Sequence, residues 1–345
     1  MKKFTLLVFA LMVGIISFAQ TSVYWRTDGP SDGKWLWGST CDASGDGQWY
    51  YSSWSGFRRS PNCYGDHDVY FDGNGINNMD LNGANDFGVR SIIFTSNATE
   101  NRTLNANTTD KRTLWLNANN GNPKIENNST ATHTFNVPIF YNAPAQLNPI
   151  SGNLIFTGAI DNRGNWTDVW GGNNKTLSIA SLLGSGGLTI KSTSTIVKIT
   201  GNCSYTGDTY VDNGTLELQG NIASSTIIVK NGAKLTINGT AITINNLTVE
   251  TGGIVEVLPG KSLTINGTSN TNSGTIKLLS DASGTATLIG NIEGNAEVQQ
   301  YLTGNGRNWW YLASPLSVAS SSVFSGDKIG KYVEDYLNDN DGNTN

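Results

Sequence analysis

Short apolar runs separated by Gly and Asn dominate the chain between residues 201 and 291. Each run is three to five residues long and is rich in Val, Ile, Leu and Thr, which suit a pleated, half-buried surface. Within the runs, apolar and polar residues alternate, and no 3.6-residue helical period appears. The pattern therefore predicts short β-strands closed by Gly and Asn turns.

These runs recur at a nearly constant spacing. The string LTINGT occurs at residues 235–240 and again at 263–268, and the glycines that precede apolar runs are 18, 21 and 21 residues apart: Gly214, Gly232, Gly253 and Gly274. A period near twenty with two or three strands per period is typical of a solenoid. Similar runs fill residues 89–201, so we expect an all-β, right-handed parallel β-helix over residues 89–295 with roughly ten turns.

The alternation also predicts which side chains face the core. We expect the apolar member of each pair to point inward and the intervening polar residue to point outward. The inward residues are Leu216 and Leu218, Leu235 and Ile237, and Leu263 and Ile265; the outward residues are Glu217, Thr236 and Thr264. On this pattern Thr236→Asp should be nearly neutral, whereas Leu235→Asp or Ile237→Asp buries an unpaired carboxylate.

One turn carries a recognisable motif. Residues 204–221 read SYTGDTYVDNGTLELQGN, and this stretch resembles the autotransporter-associated β-strand repeat, whose units read roughly N-x-Y-x-G-x-T-x-V-x-x-G-T-L-x-L. The resemblance covers about one turn well and implies a right-handed parallel β-helix in an exported bacterial surface protein. The matching residues are Tyr205, Gly207, Thr209, Val211, Gly214, Thr215, Leu216 and Leu218.

The first twenty residues have the organisation of a signal peptide. Lys2 and Lys3 precede an apolar stretch over residues 4–18, and cleavage is expected near Gln20. An uncleaved anchor is the alternative, but the apolar stretch is short for a membrane span. The MKK start and FAQ end resemble leaders of Bacteroidetes, so we expect a secreted or outer-cell-surface protein.

Residues 21–88 are aromatic-rich and predict a cap on the first turn. Bulky rings can cover the exposed strand edge and the open core there, and the order of Trp, Pro and D-x-V-x-F resembles the lead-in of many exported β-helices. A sugar-stacking platform is the alternative. The tryptophans are Trp25, Trp35, Trp37, Trp49 and Trp54.

The three cysteines suggest one bridge and one buried thiol. In an oxidising compartment Cys41 and Cys63 can form a disulfide, which would leave Cys203 as a buried, inert side chain. His67, between two aspartates and near Cys63, is either part of a metal site or a residue of a solvated loop.

Residues 296–345 have longer runs and predict the start of a second β element. This segment resembles one that follows β-helices in large Bacteroidetes surface proteins, many of which use the type IX secretion route. We therefore expect the chain to be a fragment of a longer protein.

Composition and charge limit the classes of partner and activity that the chain is expected to have. A net charge of −5 gives no reason to expect nucleic acid as a partner, and no cofactor motif occurs. The acids of the coil are scattered: Asp161, Asp168, Asp208, Asp212, Glu217, Glu250 and Glu256. We therefore expect a non-catalytic, adhesin-like or structural stalk that contacts extracellular glycans or other surface proteins. A polysaccharide lyase or hydrolase is the alternative, and an aromatic groove with two or three aligned acids would favour it.

Overall fold

A computed structural model describes residues 22–25, 34–36, 49–51, 68–73, 78–82, 86–106, 113–117 and 121–302. Throughout these ranges the regular structure is strand, with no helix. Consequently no described helix is available that could cross a bilayer. The predicted leader, Cys41, Cys63, His67 and residues 303–345 lie outside the described residues, so the predictions made for them stay predictions.

Three sheets run along the coil, and successive strands of each come from successive turns. The first sheet contains, in spatial order, Trp49–Tyr51, Ser22–Trp25, Asp68–Phe71, Ser91–Phe94, Lys124–Asn127, Ala145–Pro149, Thr167–Val169, Leu188–Ile190, Thr209–Val211, Ile222–Val229, Ala241–Val249, Ser262–Ile265 and Thr287–Ile289, with Thr271–Asn272 beside Ala241–Val249. The second contains Lys34–Leu36, Asn78–Asn82, Arg102–Ala106, His133–Asn136, Leu154–Phe156, Thr176–Ile179, Ile196–Ile199, Thr215–Leu218, Lys234–Ile237, Ile254–Val257, Thr275–Leu278 and Ala296–Val298. The third contains Phe87–Val89, Leu114–Leu116, Ile139–Tyr141, Ile160–Asp161 and Leu182–Leu183, and a small hairpin joins Ser280–Asp281 to Gly284–Thr285.

Apart from the outermost strand Trp49–Tyr51, the strands of the three sheets pair in parallel, which confirms the predicted right-handed parallel β-solenoid of about 10 turns. Along the first sheet Gln146 pairs with Asp168, Asp168 with Thr189, and Thr189 with Tyr210. Partners from Gln146 to Thr271 are 18 to 23 residues apart, which agrees with the predicted period near twenty.

The ladders also continue upstream of residue 89. Asp68–Phe71 pairs in parallel with Ser91–Phe94, and Ser22–Trp25 pairs in parallel with Asp68–Phe71. Trp49–Tyr51 then pairs antiparallel with Ser22–Trp25. An antiparallel strand on the outermost parallel strand covers a backbone edge that would otherwise be open to pairing with another chain.

The core is one continuous apolar cluster inside the coil. Alternation in the strands places Leu216, Leu218, Leu235 and Ile237 fully inside it, and Glu217 faces outward, as predicted. Each buried aliphatic side chain contributes roughly 1.5–3 kcal/mol, and neighbouring turns must be present for that burial to occur. Thr236 faces outward but is only 8% exposed, which the alternation alone does not predict.

The cross-section of the coil changes near residue 200. The third sheet ends at Leu182–Leu183, and further on the first-sheet strands lengthen to Ile222–Val229 and Ala241–Val249. Cys203 lies at this transition in a bridge to Ile222. Its thiol is buried, and burial raises its pKa to about 11, which keeps it protonated and inert.

Polar side chains form hydrogen bonds between consecutive turns at the corners of the coil. The buried Asn162 accepts hydrogen bonds at Oδ1 from the backbone N–H of Gly164 (3.1 Å) and of Gly186 (2.9 Å) on the next turn. In the motif turn the hydroxyls of Tyr205 and Thr209 lie 2.6 Å apart, and those of Thr209 and Ser225 lie 2.8 Å apart. The stacking of consecutive turns therefore rests on hydrogen bonds as well as apolar contacts.

Candidate functional site

The outward face of the first sheet carries a cluster of exposed aromatic rings. The strand Thr167–Val169 lies in the sequence NWTDVW, so Thr167 and Val169 point into the core while Trp166, Asp168 and Trp170 point outward. Trp166 is 39% exposed and Trp170 is 45% exposed. Exposed indoles on a rigid sheet can serve as flat contact surfaces for a ligand.

Trp166 lies against the sheet because the next turn offers a glycine beneath it. A Cβ at Gly187 would overlap the six-membered ring of the Trp166 indole. The ring extends toward Tyr210 on the following turn, with centroids 5.8 Å apart and planes tilted by 38°. Gly187 therefore sets the orientation of this aromatic surface.

Two ion pairs lie beside the rings. Lys191 Nζ is 2.7 Å from Oδ2 of Asp168, and Lys230 Nζ is 2.6 Å from Oδ1 of Asp212 in an ion pair rather than an aligned hydrogen bond. Contact with the Asp212 carboxylate, outweighing slight desolvation, raises the pKa of Lys230. Each carboxylate thus has its own cation.

The lysines also lie over aromatic rings. Lys191 Nζ is 5.3 Å from the centroid of Trp170, and Lys230 Nζ is 5.2 Å from that of Tyr210, distances typical of cation–π contacts. Lys191, Tyr210 and Lys230, together with Pro144 and Thr189, line an open depression of about 400 Å³, and Trp170 lies beside it against Lys191. We call it the first-sheet groove, and it is lined by Pro144, Trp166, Asp168, Thr189, Lys191, Tyr210, Asp212 and Lys230.

A second aromatic patch lies on the third sheet and differs in exposure. Trp115 and Phe140 are register partners and meet edge to face at 4.9 Å. The Arg163 guanidinium lies 5.0 Å from the Trp115 centroid and 5.8 Å from that of Phe140. Trp115 and Phe140 are half-buried, whereas Trp166 and Trp170 are exposed.

The structure brings some of the scattered acids together. Asp168 and Asp212 line the first-sheet groove, and Asp212 and Glu250 align across two turns of the coil. Lys230 occupies the intervening turn between Asp212 and Glu250. Asp161, Glu217 and Glu256 lie on other faces, so the seven acids do not form one cluster.

The residues of the 204–221 repeat motif are explained by packing and backbone conformation. Tyr205, Val211, Leu216 and Leu218 are buried in the core, Gly207 packs on the backbone of the preceding turn, and Gly214 adopts a φ of 66° that favours glycine. Thr209 is buried in the hydroxyl network, and Thr215 is a partly buried strand residue.

The potential metal ligands in the described part of the chain are dispersed. No group of three or more His, Cys, Asp or Glu residues lies close enough to hold a metal ion within those ranges. Asp68, which follows His67, accepts a hydrogen bond from Nε of Arg90 at 2.8 Å, so its carboxylate is already engaged by a cation.

Sequence reasoning did not single out the rings of the groove. Trp166 in the groove and Trp170 beside it are four positions apart, which is a spacing of two outward positions on one strand, and this alternation is a local signal. That Lys191, Tyr210 and Lys230 also line this groove depends on the register between turns, for which the sequence has no local signal. Comparisons with protein-family models, curated proteins and solved structures give no match.

Proposed function

We propose that this chain is a non-catalytic, exported surface protein whose β-solenoid acts as a stalk and contacts glycans through the first-sheet groove. The leader-like residues 1–20, with their MKK start and FAQ end, support export and a Bacteroidetes-like origin, and the resemblance of residues 204–221 to the autotransporter-associated repeat supports a bacterial surface protein. The type IX route is the secretion pathway that fits this origin.

The observation that carries the glycan contact is the exposed pair of indoles beside ion-paired carboxylates. The faces of pyranose rings are apolar and stack on aromatic rings, while their hydroxyls both donate and accept hydrogen bonds. Asp168 offers acceptors and Lys191 offers donors within the same groove. The backbone of a parallel sheet holds these groups without a mobile loop.

The test is a glycan array on the mature protein, followed by affinity measurements for whatever binds. We expect Trp166→Ala with Trp170→Ala to lower affinity at least about tenfold, because both stacking surfaces are lost. Trp115→Ala is the matched control, since it removes a half-buried indole on the third sheet, away from the groove. Unchanged binding in the double variant, or equal loss in the control, would contradict the proposal.

A carbohydrate-active enzyme is the second candidate, because two carboxylates do face the aromatic groove. Asp212 lies two turns and two residues from Asp168, which places the Cα atoms roughly 12 Å apart at ordinary strand spacings. Each carboxylate is already engaged in an ion pair with a lysine, so neither is free to act on a sugar without breaking that pair. We therefore keep binding as the proposal and test catalysis separately.

A further inference from the structure

The charges of the first-sheet groove bear on which glycans it can accept. Its two cations, Lys191 and Lys230, are each within 2.7 Å of a carboxylate oxygen. A ligand carboxylate or sulfate would therefore meet cations that are already neutralised, and would lie close to Asp168 and Asp212 as well.

Further acids lie on the borders of the groove. Glu250 follows Lys230 by one turn and acts on it electrostatically. Asp208 stands one turn beyond Gly187, in the row of positions that begins with Trp166, since Thr167 N–H bonds to Gly187 O and Leu188 N–H bonds to Asp208 O. Around the rings, acids outnumber bases, so an anionic ligand is opposed by like charge.

An uncharged sugar meets no such opposition. Its hydroxyls can donate to the outer lone pairs of Asp168 and Asp212 and accept from the remaining N–H groups of the lysines, with both ion pairs intact. Its ring faces can stack on Trp166 and Trp170.

From these charges we infer that the first-sheet groove selects uncharged saccharides and discriminates against polyuronides and sulfated glycans. This inference rests on the proposed glycan contact. The ion pairs Asp168–Lys191 and Asp212–Lys230 are its specificity-determining elements, because they remove the cations that an acidic glycan would need.

The test compares each acidic polysaccharide with its carboxyl-reduced, neutral counterpart, so that backbone and linkage are matched. We expect the wild-type protein to bind the neutral member at least about tenfold more tightly. Partly deacetylated, cationic chitosan against chitin completes the comparison, and tighter binding of chitosan would contradict a preference for uncharged sugars.

A variant that removes the two negative charges of the groove, called the charge-gain variant below, tests whether the ion pairs determine the specificity. Asp168→Asn with Asp212→Asn leaves Lys191 and Lys230 without their carboxylate partners, so binding of the acidic member should rise at least about tenfold and should weaken with added salt. Ion pairs at a partly exposed surface contribute little to stability, so a thermal melt should show that the variant folds. The control Asp281→Asn with Glu293→Gln makes the same change in net charge at exposed positions outside the groove and should leave the preference unchanged.

The outcomes separate the two proposals. Binding to neither member of any pair overturns the glycan contact and the inference with it. Wild-type binding to the acidic member that equals or exceeds binding to the neutral one overturns the inference alone, as does a charge-gain variant that keeps the wild-type preference.

Discussion

The buried His133 is a side chain whose protonation is coupled to folding. It faces the core, stacks on Phe94 with centroids 3.7 Å apart, and has Nε2 2.9 Å from the hydroxyl of Ser129. Burial, assisted by the charge of its register partner Arg102, lowers the pKa of His133 to about 3. The imidazole is therefore neutral in the folded protein at any pH above that value.

This pKa predicts that stability falls as the pH is lowered. In the unfolded chain a histidine has a pKa near 6.5, so below that pH the unfolded state binds a proton that the folded state does not. Full stability is present above about pH 6.5, and the free energy of unfolding should drop by roughly 1.4 kcal/mol per pH unit between that value and about pH 3. Urea unfolding at pH 7, 6 and 5 measures this slope above the range in which carboxylates titrate.

His133→Phe is the control for that slope. Phenylalanine keeps the stack on Phe94, and the Ser129 hydroxyl retains its 2.8 Å hydrogen bond to Oδ1 of Asn127. The variant should show little change in stability between pH 7 and pH 5. A slope equal to that of the wild type would mean that another group is responsible.

The outward face of the second sheet forms a charged ladder. Lys198, Glu217, Thr236, Glu256 and Lys277 are successive register partners on consecutive turns. Hydrogen bonds from Asn238 and Gln219 outweigh the effect of partial burial and lower the pKa of Glu217, so it remains charged. Thr236 therefore separates two carboxylates.

This ladder corrects the expectation that Thr236→Asp would be neutral. A carboxylate at that position would be flanked by Glu217 and Glu256 and should destabilise by about 0.2–1 kcal/mol through like-charge repulsion. Thr236→Lys places opposite charges in register and should be neutral or stabilising. Thermal melts at low and high salt distinguish the two, and equal melting temperatures for both variants at low salt would refute the electrostatic explanation.

The sequence predicts which side chains of a strand face the core, but it does not predict which residues lie beside them on the neighbouring turns. The inward positions of Leu235 and Ile237 follow from a period of two, which is local and survives any turn length. That Thr236 meets Glu217 and Glu256 depends on turns whose lengths vary between 18 and 23 residues along the first sheet. Likewise, the alternation within one strand predicts that Trp166 points outward. Its contact with Tyr210 can be predicted only if the register across two turns is known.

At the scale of the whole molecule, we predict that the chain is not a glycanase. Purified protein comprising residues 21–345 should release no oligosaccharide from pectin, alginate or other polyuronides, with or without calcium. Cleavage needs two carboxyl groups free to flank the scissile bond, whereas the groove acids Asp168 and Asp212 are each engaged by a lysine. A reducing-sugar assay measures release, and release that disappears with Asp168→Asn, Asp208→Asn or Asp212→Asn would establish the enzymatic alternative.

The parallel stacking of the coil also governs how such a chain can change in length over evolution. Duplication or loss of one complete turn, about 21 residues here, leaves equivalent strands paired with each other. The coil can therefore lengthen or shorten without a change of fold. The groove does not share this freedom, because its residues are spread from Pro144 to Lys230 and excision of one turn would separate Trp166 from Tyr210. Selection for ligand contact would therefore hold the number of turns constant in this segment, while the turns on either side remain free to vary in number.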